Sequence, residues 1–170
     1  YPDTVQSYSS GRLRICKNNS YGECRSFLKW TELPDLFASD VITKAYLRMS
    51  LYSDMGTQAV PIHLKEVTES WASRTITWNN QPETAEYDSD CVIVPANAGT
   101  GSSFAFDISN LVRKWYTGSN NGVMFERRIT TTPNTVEFVS SDSVYNKPVV
   151  MINYISCAGL EDYMTFDTIE

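Results

Sequence analysis

The sequence predicts an all-β fold, a jelly-roll β-sandwich of two antiparallel sheets with one short helix. Most of the chain alternates apolar and polar residues with a period of two, which places every second side chain on the same face of a strand. Clusters of Gly, Pro, Asn, Asp and Ser separate these alternating segments. The hydrophobic fraction of 42% is high enough for a packed core.

The alternating segments give about eight to ten short strands. In the clearest of them, Ala45, Leu47, Met49 and Leu51 fall on one face. Many short strands separated by turns are typical of sandwiches and jelly rolls. The predicted strands include residues 12–16, 25–30, 45–52, 60–64, 103–106, 122–126, 135–139 and 148–154.

A single helix is predicted over residues 107–116. Ile108, Leu111, Val112 and Trp115 have the spacing of one helical face. Asp107 is a suitable N-cap, and a glycine, the residue after Thr117, is a suitable C-terminal stop. We expect this helix to lie across one end of the sandwich with its tryptophan directed inward.

The segment 67–82 contains two tryptophans, Trp71 and Trp78, and ends in Asn79-Asn80-Gln81-Pro82. Each indole removes a large apolar area from water when it is buried, so we expect both rings to lie inside and hold the two layers together. The polar residues that follow have the composition of a rigid, hydrogen-bonded loop. The segment therefore favours a structural role.

Composition and charge exclude several classes of function. The chain has 170 residues and a net charge of −6, so no basic face is expected to bind nucleic acid. Its longest apolar run, residues 149–155, is too short to span a membrane, and no membrane insertion is expected. We expect one domain at residues 1–155 and a tail or linker at 156–170. Because the chain begins without methionine, we expect it to be excised from a longer polypeptide.

The four cysteines do not have the close spacing of a zinc site. Cys16 and Cys24 flank a turn-rich segment that is able to close a hairpin. If they lie across from each other a disulfide is geometrically allowed, and otherwise both are free thiols that pack as small hydrophobes. The sequence leaves both alternatives open, and it leaves Cys91 and Cys157 unpaired.

Residues with catalytic chemistry are few. The single histidine, His63, alternates with apolar neighbours and is expected on the solvent side of a strand rather than as a general base. A serine-nucleophile motif is absent from the sequence, and no spacing selects the two carboxylates that a glycosidase needs. Asp88-Ser89-Asp90 lacks the rest of a calcium-binding loop, although a structural calcium is compatible with the composition. We therefore expect no enzyme activity and no required cofactor.

Candidate ligand-binding residues come from the tyrosines and arginines. Tyr52, Tyr116 and Tyr145 fall at strand ends, at the end of the helix or in loops, where an aromatic ring is able to stack on a sugar. Arg127 is one of the few basic residues that lie close to another arginine, together with Arg12, Arg14 and Arg128. Their positions are also explained if they lie on solvent-exposed faces of strands. The position of each tyrosine is explained equally well if its ring packs half-buried against the protein surface.

The order of several motifs resembles a known family. The order is similar to that of a DNRLRE-type domain, a group classed with alginate-binding carbohydrate-binding modules. The motifs lie at residues 25–30, 42–49, 67–71, 75–82, 106–112 with Trp115, 120–123 and 147–152. The resemblance covers nearly residues 10–155. The hexapeptide that names the family is replaced by residues 11–15, Gly-Arg-Leu-Arg-Ile, and the cysteines are not part of the family pattern.

The resemblance implies a bacterial, secreted or cell-surface, non-catalytic module. Residues 159–163 resemble the junction that follows such domains in wall-associated and Rhs/YD-repeat proteins, which implies that the remainder of a larger polypeptide is a partner. Our first hypothesis is a module that binds polysaccharide or cell-wall glycan and positions a surface protein. The alternative is a structural or protein–protein interaction domain of an Rhs/YD-repeat assembly with no glycan ligand.

Overall fold

The computed structural model describes residues 11–19, 22–53, 55–87, 91–128 and 134–156, without the side chains of residues 18 and 19. These residues form eleven strands and one short helix, which confirms the predicted all-β sandwich. The elements are β1 (Arg12–Asn19), β2 (Gly22–Cys24), β3 (Ser26–Leu28), β4 (Val41–Ser50), β5 (Val60–Val67), β6 (Thr84–Glu86), β7 (Val92–Val94), β8 (Ser103–Asp107), α1 (Ser109–Thr117), β9 (Val123–Glu126), β10 (Asn134–Val139) and β11 (Val149–Ile155).

Hydrogen bonding groups the described strands into three antiparallel sheets. Two of them, in the orders β10-β1-β2 and β11-β4-β8, are joined by a single bridge between Leu51 and Phe138, and we call them together the first layer. The third, in the order β3-β9-β5-β6 with β7 also paired to β5, is the second layer. The chain passes between layers at Arg25, which separates β2 from β3.

The core lies between the two layers because each strand turns alternate side chains inward. Leu47 and Met49 on β4 face Ile62 and Leu64 on β5 in one cluster of buried residues. Phenylalanines join the layers most directly. The ring of Phe106 on β8 lies 5.4 Å from Phe125 on β9 and 6.3 Å from Phe138 on β10.

The helix α1 covers one end of the first layer. Ile108, Leu111, Val112 and Trp115 are buried, as the helical spacing predicts. The predicted N-cap is wrong by one position, because the helix begins at Ser109 and Ile108 occupies the cap. Asp107 nevertheless accepts a hydrogen bond from the backbone N–H of Ser109 at 2.9 Å, so it satisfies one of the first-turn N–H groups from outside the helix.

The carboxylate of Asp107 couples the start of this helix to β4. Burial opposes its ionisation, but hydrogen bonds from the side chain and backbone of Ser109 and the ammonium of Lys44 at 2.9 Å outweigh that effect. The pKa of Asp107 therefore falls from an ordinary value of 3.8 to about 2. The charged form is favoured in the folded protein.

We expect Asp107→Asn to lower the free energy of unfolding at pH 7 by about 1 kcal/mol, a value reduced by solvent screening because this side chain is 41% exposed. The stabilisation is complete above the unfolded pKa of 3.8 and is lost as the pH falls toward about 2. Urea unfolding at pH 7 and pH 2.5 measures this difference. Glu32→Gln, at an exposed carboxylate, is the control. A difference that persists unchanged at pH 2.5 would contradict the assignment.

Cys16 and Cys24 form a disulfide across β1 and β2, with their Cα atoms 4.6 Å apart. The pairing of β2 with β1 is otherwise slight, since only Cys16–Cys24 and Asn19–Gly22 are in register. Among the described cysteines Cys91 is a free thiol, whereas Cys157 lies outside the described residues. The predicted tail at 156–170 also lies outside them, apart from its first residue, and the domain boundary stays a prediction.

Candidate functional site

The long connection from β5 to β6, residues 68–83, forms a closed loop on the second layer. Its base is fixed where the backbone N–H of Thr68 donates to the carbonyl of Glu83 at 2.9 Å. The carboxylate of Glu69 accepts the backbone N–H of Glu83 at 3.0 Å. The loop thus leaves the sheet and returns to it at neighbouring positions.

Side-chain hydrogen bonds fix the interior of this loop, as its Asn-Asn-Gln-Pro composition predicts. The Asn80 carbonyl accepts from both the backbone N–H and the hydroxyl of Thr77, and its amide donates to the carbonyl of Thr75 at 2.9 Å. The amide of Gln81 donates to the carbonyl of Trp78 at 2.8 Å. These contacts give the loop a defined conformation without a strand partner.

Trp71 attaches the loop to the outer face of the second layer. Its indole N–H donates to the carbonyl of Asn121 at 2.8 Å, and its ring lies 5.6 Å from Phe27. Phe27 alternates with two buried residues of β3, Ser26 and Leu28, and pairs with Met124 on β9, so the side chains of Phe27 and Met124 point away from the main core. Met124 is nevertheless buried, which indicates that the loop covers this face.

The prediction that both indoles lie between the layers is wrong. Trp71 is only half-buried and packs on the outer face, and Trp78 is 43% exposed. The physical reason is that residues 68–83 fold back on themselves through their own side chains, so their aromatic residues never reach the space between the sheets.

Arg25 holds the exposed ring of Trp78 from one side, with its guanidinium carbon 5.0 Å from the ring centroid. Its Nε donates to Glu23 at 3.0 Å, and its Nη1 donates to the side-chain oxygen of Gln81 at 3.3 Å. Lys17 contacts the second oxygen of Glu23 at 3.7 Å. We call Trp78, Arg25, Glu23 and Gln81 the Trp78 platform.

The Trp78 platform combines a flat apolar surface with polar groups at its edge. An indole face accommodates the C–H groups of a sugar ring, and the cation–π contact with Arg25 orients the ring. Guanidinium and amide N–H groups are suitable donors to hydroxyl oxygens. Because these side chains are already fixed, binding costs little additional conformational entropy.

Comparison with known families decides the class of the protein. The family model described as carbohydrate-binding module family 96 matches residues 4–154. The chain belongs to carbohydrate-binding module family 96. A comparison with curated proteins gives no match. The predicted relationship to carbohydrate-binding modules is confirmed, whereas the DNRLRE-type assignment and the Rhs/YD-repeat context stay predictions.

Two of the predicted ligand-binding residues, Tyr116 and Arg127, donate side-chain hydrogen bonds to backbone carbonyls of the module. Tyr116 is half-buried, its hydroxyl donates to the carbonyl of Pro34 at 2.7 Å, and burial raises its pKa. Arg127 is only 4% exposed and donates to the carbonyl of Asn134 at 2.9 Å. Arg127 therefore supports the backbone at the start of β10 rather than presenting a cation to solvent.

The other two predicted residues, Tyr52 and Tyr145, are on the surface of the module. Tyr52 is 41% exposed just after β4, and Tyr145 is 78% exposed in the connection from β10 to β11. Tyr116 lies near the opposite end of β4, because the helix residue Arg113 donates to the carbonyl of Ile42. Since β4 has 10 residues, Tyr52 and Tyr116 are separated by roughly 30 Å. The four predicted residues do not form one site.

The outer surface of the second layer also carries a network of ion pairs. Lys65 and Arg128 both contact Glu86 and Glu126, and His63 is paired across from Glu126. Burial and the positive charge of Arg128 lower the pKa of His63, which favours the neutral imidazole. His63 is half-buried on the outer face of β5, in agreement with the predicted solvent-side position.

Within the ranges that the structure describes, no three His, Cys, Asp or Glu side chains lie close enough to hold a metal ion. The Asp88-Ser89-Asp90 segment, considered for calcium, lies outside those ranges. Among the described residues no helix has the length and apolar character needed to span a membrane.

Sequence reasoning missed the two central residues of the platform, Trp78 and Arg25. The sequence pattern predicts a core position for Trp78 and an ordinary strand position for Arg25. The available signal was local, because a tryptophan followed directly by Asn-Asn-Gln-Pro lies at a turn and not within a strand. No signal in the sequence pairs Arg25 with a ring that is more than fifty positions away.

Proposed function

We propose that this protein is a non-catalytic, extracellular module that binds polysaccharide through the Trp78 platform and positions a larger bacterial surface protein. The observation that carries the proposal is the exposed indole of Trp78, held by Arg25 on a loop fixed by its own hydrogen bonds. Tryptophan side chains are highly buried on average, so an exposed indole on a fixed loop offers an aromatic surface for stacking. Membership of a carbohydrate-binding family makes a glycan the natural partner.

Charge near the platform bears on the type of glycan. Lys17 and Arg25 share one carboxylate, Glu23, so these three side chains together carry one net positive charge beside Trp78. The chain as a whole carries a net charge of −6. We therefore propose that the ligand is a cell-wall glycan or another polysaccharide whose acidic groups, where present, lie close to Arg25.

The platform is poorly suited to hydrolysis. Carbohydrate-binding module families are generally non-catalytic, and glycoside hydrolysis usually needs a proton donor and a second carboxylate across the scissile bond. Glu23 is the only carboxylate of the platform, and it is engaged by Arg25 and Lys17. Binding without turnover is the chemistry that we propose for this arrangement.

We expect Trp78→Ala to weaken polysaccharide binding at least about tenfold, which corresponds to about 1.4 kcal/mol. The physical reason is the loss of the stacking surface. Affinity electrophoresis in gels that contain alginate, xylan, galactomannan or hydroxyethylcellulose measures the retardation of each variant. Phe37→Ala is the matched control, because Phe37 is 69% exposed and lies outside the platform. Equal retardation of Trp78→Ala and the unmodified protein would exclude this platform.

A second candidate function is supported by the edge of the first layer. Val149, Met151, Tyr154 and Ile155 on β11 are exposed, and among the described strands β11 pairs only with β4. An apolar edge strand of this kind suits contact with another protein surface. The absence of retardation by every polysaccharide would favour a structural or protein–protein domain, such as one in an Rhs/YD-repeat assembly.

A further inference from the structure

We propose that Tyr52 forms a second, weaker sugar-binding platform, so that one module binds two stretches of polysaccharide. This inference rests on the proposed function of Trp78 and extends it to a separate surface. We call Tyr52, Arg12 and Glu137 the Tyr52 platform. Its ligand is of the same class, a pyranose within a polysaccharide chain.

The two platforms are built from the same three kinds of group. The guanidinium carbon of Arg12 lies 5.2 Å from the ring centroid of Tyr52, close to the 5.0 Å between Arg25 and Trp78. A glutamate orients the arginine in both cases. Glu137 accepts from Arg12 at 3.2 Å, as Glu23 accepts from Arg25. The combination of exposed ring, oriented arginine and carboxylate therefore occurs twice in the fold.

The backbone that carries Tyr52 is fixed from two sides. The N–H of Tyr52 donates to the carbonyl of Glu137 at 2.7 Å. The preceding residue, Leu51, is fully buried, bridges to Phe138 and donates its N–H to Ser102 at 2.8 Å. A ring on such a backbone is available for stacking without first being ordered, which favours binding.

The Tyr52 platform lies on the outer face of the first layer. On β1, Arg12 and Arg14 alternate with Ile15, which is fully buried in the core. Arg14 also contacts Glu137, at 2.7 Å, so the carboxylate of β10 is held by two arginines. The outward face thus presents Tyr52 beside a compact group of fixed charges.

A single sugar is unable to reach both platforms. Along β1, Arg12 and Cys16 are four residues apart, which corresponds to roughly 13 Å. The disulfide links Cys16 to Cys24, and Arg25 is the residue that follows Cys24. Arg25 in turn contacts the ring of Trp78, which lies on a loop of the second layer. Two separate segments of polysaccharide, or two chains, are needed to occupy both rings.

Tyr52 is a better candidate than the more exposed Tyr145. With the described part of the chain, the Tyr145 side chain makes no hydrogen bond, ring contact or cation–π contact, so nothing holds its ring in one orientation. A ring that must be ordered on binding contributes less affinity. Tyr145→Ala is therefore the matched control for Tyr52→Ala.

The test is isothermal titration with disaccharides of alginate, xylan, mannan and cellulose, which are short enough to occupy one ring at a time. The variants are Trp78→Ala, Tyr52→Ala, the double variant and Tyr145→Ala. We expect two sites per unmodified module, one site in each single platform variant, none in the double variant and two in Tyr145→Ala. With intact polysaccharide, either single platform variant should also lose more than tenfold in retention, because simultaneous binding at two sites raises affinity. Tyr52→Phe should keep both sites, and circular dichroism verifies folding.

The outcomes separate the two proposals. One site in the unmodified module that Trp78→Ala removes and Tyr52→Ala leaves intact would overturn the Tyr52 platform alone. Binding that survives Trp78→Ala unchanged would overturn the function proposed for Trp78. Should Tyr52→Ala unfold the module, Arg12→Gln replaces it, with the loss of one site expected and two intact sites overturning the inference. No heat with any disaccharide, together with no retention on any intact polysaccharide, would overturn both proposals.

Discussion

Replacing Gly122 with alanine is expected to lower the free energy of unfolding by about 3 kcal/mol or more. Gly122 has φ of +81°, which side chains with a Cβ atom rarely adopt. A Cβ atom at this position would lie 2.1 Å from the carbonyl oxygen of Leu28 and 2.9 Å from the Cα atom of Lys29. Both obstacles are backbone atoms, so neither can rotate away. Urea unfolding followed by tryptophan fluorescence measures the loss.

Gly56→Ala is the matched control for this substitution. A Cβ atom at Gly56 meets no heavy atom within 4 Å, and its φ is not in the left-handed region. The control should change stability by no more than about 0.5 kcal/mol. Similar unfolding midpoints for the two alanine variants would show that the close approach of Gly122 to Leu28 does not constrain the fold.

We expect Phe106→Ala to lower the free energy of unfolding by about 3–5 kcal/mol, the usual range for truncation of a buried phenylalanine. The ring is nearly inaccessible to solvent and contacts Phe125 in the second layer and Phe138 in the first. Its removal leaves a cavity where the two layers meet. Chemical denaturation, with the slope of the transition fitted separately, measures the effect.

Phe37→Ala is the control for this truncation, because it removes the same ring from a position that is 69% exposed. We expect a change within about 0.5 kcal/mol for that variant. A loss below about 1 kcal/mol for Phe106→Ala would mean that neighbouring side chains fill the cavity completely, contrary to the dense packing of protein interiors. It would also weaken the view that Phe106 joins the two layers.

Most strands of the sandwich could be predicted from the alternation of apolar and polar residues, because the buried side chains of these strands alternate in the same way. Ala45, Leu47 and Met49 alternate on β4 and are fully buried. Helical spacing likewise identified the buried face of α1, including Trp115. The strands that pattern missed, β2, β6 and β7, have three residues each, too short for a period of two to be recognised.

The candidate site could not be predicted because it depends on contacts between distant parts of the chain. Whether an indole is buried is decided by what covers it, and the loop of residues 68–83 covers Phe27 with Trp71 while leaving Trp78 exposed. The alternation of Thr75-Ile76-Thr77-Trp78 also imitates a strand. Side-chain hydrogen bonds of Asn80, which a hydrophobic pattern does not register, turn this segment into a loop.

The disulfide between Cys16 and Cys24 has a consequence for maturation of the protein. The residues on either side of Cys24 are Glu23 and Arg25, and β2 has few other attachments to β1. The covalent link therefore also anchors the carboxylate and the guanidinium that steady Trp78. Thiol oxidation thus completes the proposed sugar-binding surface, and protein prepared under reducing conditions would lack the covalent link that anchors Glu23 and Arg25.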